Sequence, residues 1–157
     1  MIIGKCYLDS DLFLAAHHEA AHITVLRHYL PDSQATAFLW INENAQDESE
    51  RTILGTVKIL RSELDELTPK QRCMVGLAGH CAEIFSERLN IKEDELSDEL
   101  MGFLVFSPQT MSESDRQLCK DADLEDCMDI AKYTIANWEA ISENGQALMR
   151  TIDRTSE

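Results

Sequence analysis

The chain has 157 residues, 44% of them hydrophobic, and a formal net charge of −15 from 14 Lys+Arg and 29 Asp+Glu. This length and this apolar share predict a single globular domain over residues 1–157 and exclude a disordered or fibrous chain. Because nucleic-acid affinity depends on Lys and Arg that displace counterions from phosphates, the acidic charge argues against nucleic acids and anionic membranes as partners.

The cysteines and the start of the chain predict a cytoplasmic protein. The cysteines form an odd set without a Cys-x-x-Cys pair, which is typical of reduced thiols in the cytoplasm: Cys6, Cys73, Cys81, Cys119 and Cys127. The first ten residues hold no apolar core of signal-peptide length, and nowhere do about 18 apolar residues follow one another. We therefore expect neither export nor a membrane span.

The first part of the chain predicts a helix followed by a β-hairpin. Apolar residues recur at three- and four-residue steps from Ser10 to about Tyr29, with Ser10 as candidate N-cap and Pro31 beyond the end. The segments 35–42 and 52–60 are rich in strand-forming residues. We expect these two segments to pair.

The rest of the chain predicts further helices, so that the expected fold class is α+β with helices predominating. Residues 68–71, Thr-Pro-Lys-Gln, form a capping signal for a helix that continues to about Leu89. Between residues 90 and 112 the periodicity loosens, and the pattern does not decide which element forms. Ser112 is placed to cap a short helix, and the apolar pattern from 121 to 152 indicates one long helix or two.

The pentapeptide His-Glu-Ala-Ala-His at positions 18–22 is the clearest signal of a functional site in the sequence. His18 and His22 are four residues apart, so they project from one face of the predicted helix and can share a metal ion. Glu19 lies beside them, where a carboxylate can act as general base toward a water that zinc has made acidic. This is the pattern of zinc metallopeptidases, and it predicts one Zn²⁺ per chain.

The alternative interpretation of the pentapeptide is an ordinary helix with polar histidines at its surface. Small neighbours favour the metal site, because they let a second helix and a metal ion approach closely: Ala15, Ala16, Ala20 and Ala21. His17 points about 100° away from His18 around the helix axis. We therefore predict that His17 is not a ligand.

Four segments, in order along the chain, carry a resemblance to a known family. They are the helix AAHHEAAHITVLRHYLP, the strands ATAFLWI and ILGTVKI, the helix MVGLAGHCAEIFSE, and a Ser- and Asp-rich helix start near residue 112. Together they span about residues 12–133, and they resemble the peptidase domain of the FtsH-type ATP-dependent zinc metalloproteases. The resemblance implies a mainly helical zincin-like metallopeptidase domain with a small β-hairpin.

The resemblance also implies an Asp as the third zinc ligand, which leaves one place open for water. Asp115 follows a Ser at a helix start, as in the family, and is the preferred ligand. Asp123 is the alternative, because the Leu-Glu that follows it matches the family equally well. For either residue, a helix cap without a metal is the competing interpretation.

Further residues gain a role from the same resemblance. Glu83 falls on the helix behind the metal-binding helix, where its carboxylate can accept a hydrogen bond from a ligand His and fix the tautomer. An exposed helix charge is the alternative for Glu83. His80 replaces the family's usual Arg and is predicted not to be a ligand. Gly55 and Thr56 mark a strand edge that can hold a peptide substrate by strand addition, with a β-bulge as the alternative.

The chain contains no Gly-x-x-x-x-Gly-Lys-Ser/Thr, so we expect no ATP-driven motor in it. The expected function is that of a stand-alone zinc metalloendopeptidase of the His-Glu-x-x-His type, acting on short peptides or unfolded proteins. The alternative is a catalytically inactive binding or regulatory module with the peptidase fold. The intact Glu19 favours the enzyme, because a structural metal site needs no general base there.

Overall fold

The computed structural model describes residues 7–46 and 50–155, with side chains described as far as residue 152. Helices make up 68% of the structure and one two-stranded antiparallel sheet accompanies them, which confirms an α+β fold with helices predominating. Cys6 lies outside the described residues, and the other cysteines are buried free thiols: Cys73, Cys81, Cys119 and Cys127. Within the described ranges, no helix has both the length and the apolarity that a membrane crossing requires.

Seven α-helices and two strands follow one another along the described chain, with a single 3-10 turn at Pro108–Thr110 after the fourth helix. They are α1 (Asp9–Tyr29), β1 (Thr36–Ile41), β2 (Ile53–Lys58), α2 (Arg61–Glu66), α3 (Pro69–Glu87), α4 (Glu93–Phe106), α5 (Glu113–Leu118), α6 (Leu124–Ala136) and α7 (Trp138–Thr155). The segment with loosened periodicity thus contains α4, which buries Leu96 and Leu100 against its neighbours. The short helix α2 has no buried residue, which explains why no apolar period predicted it.

The first helix starts differently from the prediction. Its N-cap position is Leu8, which makes no side-chain capping bond, and Ser10 lies inside the helix, so the predicted cap is wrong. The start is held by a tertiary contact instead, because the Asp11 carboxylate accepts hydrogen bonds from both the backbone N–H and the hydroxyl of Thr52. This contact ties the beginning of α1 to the residue before β2.

The two strands form the predicted hairpin. They pair antiparallel, with Leu39 opposite Gly55 and Trp40 opposite Leu54. Phe38 and Trp40 lie on the exposed face of β1, whereas Ile53 at the start of β2 is fully buried. The sheet therefore places one end of β2 in the core, close to α1.

Two of the other helices begin at caps that the sequence predicts. Thr68 and Gln71 form a reciprocal capping box at α3, and Ser112 accepts a hydrogen bond from a backbone N–H at the start of α5. The pattern between 121 and 152 resolves into two helices that meet at Asn137. The helix α1 packs against α3, α7 and β2, so its histidine-bearing segment lies between other elements and away from bulk solvent.

Candidate metal centre

Two histidines from α1 and one aspartate from α5 converge on a single point. The Asp115 Oδ2 atom lies 3.2 Å from His18 Nε2 and 3.3 Å from His22 Nε2. The two imidazole rings are 4.8 Å apart between centroids and nearly perpendicular. We call these three residues the primary site. Their ligand atoms all lie within 4.8 Å of one another, so the three residues can hold a metal ion.

The spacing of the primary site fits zinc. Ligand atoms at about 2.0 Å from a tetrahedral ion lie about 3.3 Å from one another. The two measured separations from Asp115 Oδ2, 3.2 and 3.3 Å, match this value. Two imidazoles and one carboxylate are also a donor set that zinc accepts in catalytic sites, with one place left for water. The residues present therefore fit the ion that the pentapeptide predicts.

Small residues make this convergence possible. Ala16, Ala20 and Ala21 are almost completely buried, so the backbone of α1 packs tightly against its neighbours on this side. A Cβ atom on Gly79 of α3 would lie 2.4 Å from His18 Nε2, and one on Gly76 would lie 2.8 Å from Leu118 Cβ. These two glycines therefore let α3 contact both the His18 ring and α5, which carries Asp115.

A backbone oxygen of α3 fixes the orientation of the His22 ring. Its Nδ1 atom is 2.6 Å from the backbone oxygen of Val75, and a carbonyl oxygen can only accept a hydrogen bond. The Nδ1 atom therefore carries a proton, and Nε2 is the ring nitrogen directed toward Asp115. An outer hydrogen bond of this type sets the tautomer and the ring orientation of metal-binding histidines.

The orientation of His18 is fixed by a carboxylate. Glu83 Oε2 lies 3.1 Å from His18 Nδ1, which is the arrangement predicted for Glu83. Glu83 is 8% exposed, so the alternative of an exposed helix charge does not apply. Its other oxygen, Oε1, accepts a hydrogen bond from Arg51 Nη1. Arg51 thus holds the carboxylate that orients His18.

Charge is concentrated around these side chains. Burial alone would raise the pKa of Glu83 and of Asp115, but the neighbouring histidines hold both values well below the usual range. Burial alone would lower the pKa of His18, but hydrogen bonds to Asp115 and Glu83 raise it to about 10. The carboxylates therefore remain ionised and favour a cation at this position.

Glu19 lies next to the primary site and against the second strand. It is 7% exposed, and burial raises its pKa above the ordinary value. A Cβ atom on Gly55 of β2 would lie 2.7 Å from Glu19 Cγ, so the absence of a side chain at Gly55 makes room for Glu19. Gly55 is paired with Leu39 in regular register, so it does not form the β-bulge that was its alternative interpretation.

A long cleft connects these features. It has a volume of about 1630 Å³ and is lined by the primary site, by Glu19 and by β2 residues 54–57, which include Gly55 and Thr56. Within the described part of the chain the sheet has two strands, so β2 pairs with β1 along one edge only. The other edge is available for a further extended segment.

Asp123 and His17 lie outside the groups of described residues whose ligand atoms converge. Asp123 caps α6, because its carboxylate accepts a hydrogen bond from the backbone N–H of Asp126. The described residues whose ligand atoms converge include Asp115 and do not include Asp123. His17 is fully buried between Phe13 and Trp138 and is likewise outside the convergent sets.

Two further residues lie beside the primary site without having been predicted there. His80 was predicted not to be a ligand, but its Nδ1 lies 3.3 Å from Glu83 Oε2, and it belongs to a second convergent set with His18 and Glu83. Its spacing of three residues from Glu83 on α3 was the available signal. Arg51 lies in the segment before β2, and no pattern in the sequence connects it with Glu83.

Comparisons with known proteins add no further assignment. No protein-family model matches the chain, and no curated protein matches it. The chemistry of the site must therefore be argued from its own residues.

Proposed function

We propose that this protein is a zinc-dependent metalloendopeptidase with a zincin-like domain similar to the peptidase domain of FtsH-type proteases. The observation that carries the proposal is the convergence of His18, His22 and Asp115 beside Glu19, at the edge of a cleft. A helix with surface histidines would expose these side chains. Instead His22 is 4% exposed and Asp115 is 9% exposed, and both point at the same place.

In peptide hydrolysis, three residues would bind the metal and a fourth, Glu19, would transfer the proton. His18 Nε2, His22 Nε2 and the Asp115 carboxylate would hold the zinc ion. When bound, zinc supplies Lewis acidity that polarises a peptide carbonyl and lowers the pKa of water to about 7. Glu19 accepts the proton of the attacking water on its carboxylate and then donates this proton to the leaving amine. Its burial and its raised pKa suit a base that must also act as an acid.

The substrate would lie in the cleft as an extended peptide. Along the unpaired edge of β2 every second residue turns its backbone N–H and C=O groups outward, and in the segment of Gly55 and Thr56 a peptide can add to them as a further strand. This edge lies next to Glu19, so strand addition would bring a substrate carbonyl to the catalytic residues. The cleft of about 1630 Å³ exceeds the roughly 300–1,000 Å³ of ordinary small-molecule pockets, which suits a peptide or an unfolded segment.

Metal content and cleavage together test the proposal. Zinc should be measured by mass spectrometry in the desalted wild type and in His22→Ala, and cleavage of an unfolded casein-like protein should be followed for wild type and Glu19→Gln. We expect zinc and cleavage in the wild type, less zinc in His22→Ala, and cleavage reduced by about 10²–10⁴ in Glu19→Gln with its zinc retained. Glu87→Gln is a matched control, because Glu87 lines the cleft outside the primary site.

The same experiment separates the two functions. A wild type without zinc would overturn the site assignment. Zinc that depends on His22, without any cleavage that depends on Glu19, would instead identify the alternative, a binding or regulatory module that kept the peptidase fold and its metal.

A further inference from the structure

Each ring nitrogen of His18 faces a carboxylate. Its Nε2 atom points to Asp115 in the primary site, and its Nδ1 atom points to Glu83 on the opposite side of the ring. His80 Nδ1 approaches the same Glu83 oxygen, Oε2, at 3.3 Å. We call His18, His80 and Glu83 the secondary group. Their ligand atoms all lie within 4.8 Å of one another, as in the primary site.

The secondary group repeats the geometry of the primary site. In each set two imidazole rings lie 4.8 Å apart and nearly perpendicular, at 74° for His18 and His22 and at 87° for His18 and His80. In each set one carboxylate oxygen is close to both rings, at 3.2 and 3.3 Å for Asp115 and at 3.1 and 3.3 Å for Glu83. In both sets the two edges that include the carboxylate oxygen match the edges of about 3.3 Å expected around a tetrahedral ion.

His80 is a third partner of the Glu83 carboxylate. Arg51 on Oε1 and His18 on Oε2 already give each carboxylate oxygen a donor. His80 adds a second nitrogen to Oε2, and its ring is held there by stacking on Phe103 at 4.5 Å. Its other nitrogen, Nε2, is buried and has no hydrogen-bond partner among the described residues. His80 is therefore placed by packing with Nδ1 directed at the carboxylate.

We propose that the secondary group binds a second divalent cation, with His18 bridging the two ions through its two nitrogens. The ligands are His18 Nδ1, His80 Nδ1 and Glu83 Oε2. As the second ion binds, His18 Nδ1 releases its proton to solvent and the ring becomes an imidazolate, because a bound cation strongly favours the deprotonated ligand. Two nitrogens and one carboxylate oxygen suit Zn²⁺ and Cu²⁺ better than Mg²⁺ or Ca²⁺.

The formal charges of the centre indicate how strongly each ion is held. With two ions bound, the carboxylates of Glu19, Glu83 and Asp115 and the His18 imidazolate carry four negative charges against the four positive charges of the ions. Arg51, which pairs with Glu83, then leaves the centre with a net charge of +1. With one ion alone, the carboxylates and Arg51 already balance, so we expect the second ion to bind more weakly than the first.

Metal stoichiometry tests the second site directly. The purified protein should be loaded with Zn²⁺, passed through a desalting column, and analysed by elemental and native mass spectrometry. We expect two equivalents in the wild type and one in His80→Phe, a substitution that keeps an aromatic ring against Phe103 and removes the nitrogens. His28→Phe is the matched control, because His28 is exposed, lies outside both groups, and should leave two equivalents. His22→Ala should retain one equivalent, held by the secondary group.

A spectroscopic measurement keeps the test independent of the variants. With Cu²⁺ as the probe, a bridging imidazolate couples the two electron spins, so the paramagnetic resonance signal per copper should fall as loading rises from one equivalent to two. A wild type that holds fewer than two equivalents, two equivalents that survive in His80→Phe, or a signal per copper that stays constant would each overturn the proposal. One equivalent that is lost in His22→Ala would overturn the second site and leave the proposed function intact.

Discussion

The Nδ1–H of His22 donates a hydrogen bond of 2.6 Å to the backbone oxygen of Val75. This bond joins α1 to α3 and leaves Nε2 as the ring nitrogen that faces the primary site. Because the acceptor is a backbone atom, it is present whatever side chain occupies position 75. The ring of His22 is thus oriented by the packing of two helices.

Gly79 controls the approach of α3 to His18. A Cβ atom at this position would lie 2.4 Å from His18 Nε2, so Gly79→Ala must displace the ring. We expect an about tenfold or larger loss of zinc affinity, as for loss of an outer hydrogen-bond partner, and about 1–3 kcal/mol lower stability from overpacking. Competition with a chromophoric chelator and denaturant unfolding measure the two effects.

Gly102→Ala is the control for this glycine substitution. Gly102 lies in α4, and a Cβ atom there meets nothing within 4 Å. Alanine should therefore stabilise the helix by about 1 kcal/mol and leave zinc affinity unchanged. Equal zinc affinity in Gly79→Ala and Gly102→Ala would show that the His18 ring does not occupy the place described.

Gly55 controls the position of the general base. A Cβ atom would lie 2.7 Å from Glu19 Cγ and 2.8 Å from Leu39 Cδ2, so Gly55→Ala must move the Glu19 side chain. Because Glu19 is not a ligand, we expect zinc to be retained while kcat falls by about 100-fold, the loss typical of a displaced general base. Steady-state cleavage kinetics and zinc analysis on the same preparation provide the measurement. An unchanged kcat would argue against Glu19 as the base.

Asp115 and Asp123 provide a matched pair of substitutions. Asp115→Ala removes a carboxylate that contacts both ligand histidines, and we expect one equivalent of zinc fewer than in the wild type. Asp123→Ala removes the cap of α6, and we expect about 1 kcal/mol lower stability with the wild-type zinc content. Zinc analysis and thermal unfolding distinguish them, and loss of zinc in Asp123→Ala alone would reverse the assignment.

The described cysteines should be unreactive in the folded protein. Burial raises the pKa of Cys73, Cys81 and Cys119 to about 12 and that of Cys127 to about 11, so hardly any thiolate exists at pH 8. In a Cys6→Ser variant we therefore expect no thiol to react with a chromogenic disulfide reagent until denaturant is added, after which the four buried cysteines react. Rapid labelling of the native variant would contradict their burial.

The elements that the sequence predicted well are those with local signals. The spacing of His18 and His22 is fixed by the helical repeat, and the structure shows both rings directed at one carboxylate. The capping box at Thr68 and the hairpin were predicted from neighbouring residues and are confirmed. The start of α1 was predicted wrongly at Ser10, because the contact that holds it comes from Thr52, distant in the sequence.

The sequence by itself determined the helix with His18, Glu19 and His22 and the mainly helical α+β class, because helical spacing and capping are properties of adjacent residues. The tertiary structure decided the rest of the centre. Asp115 lies 97 positions from His18, Glu83 lies 65 positions from it, and Arg51 lies 32 positions from Glu83. Such contacts depend on how close α3 and α5 come to α1, which Gly76 and Gly79 permit through packing that no local pattern encodes.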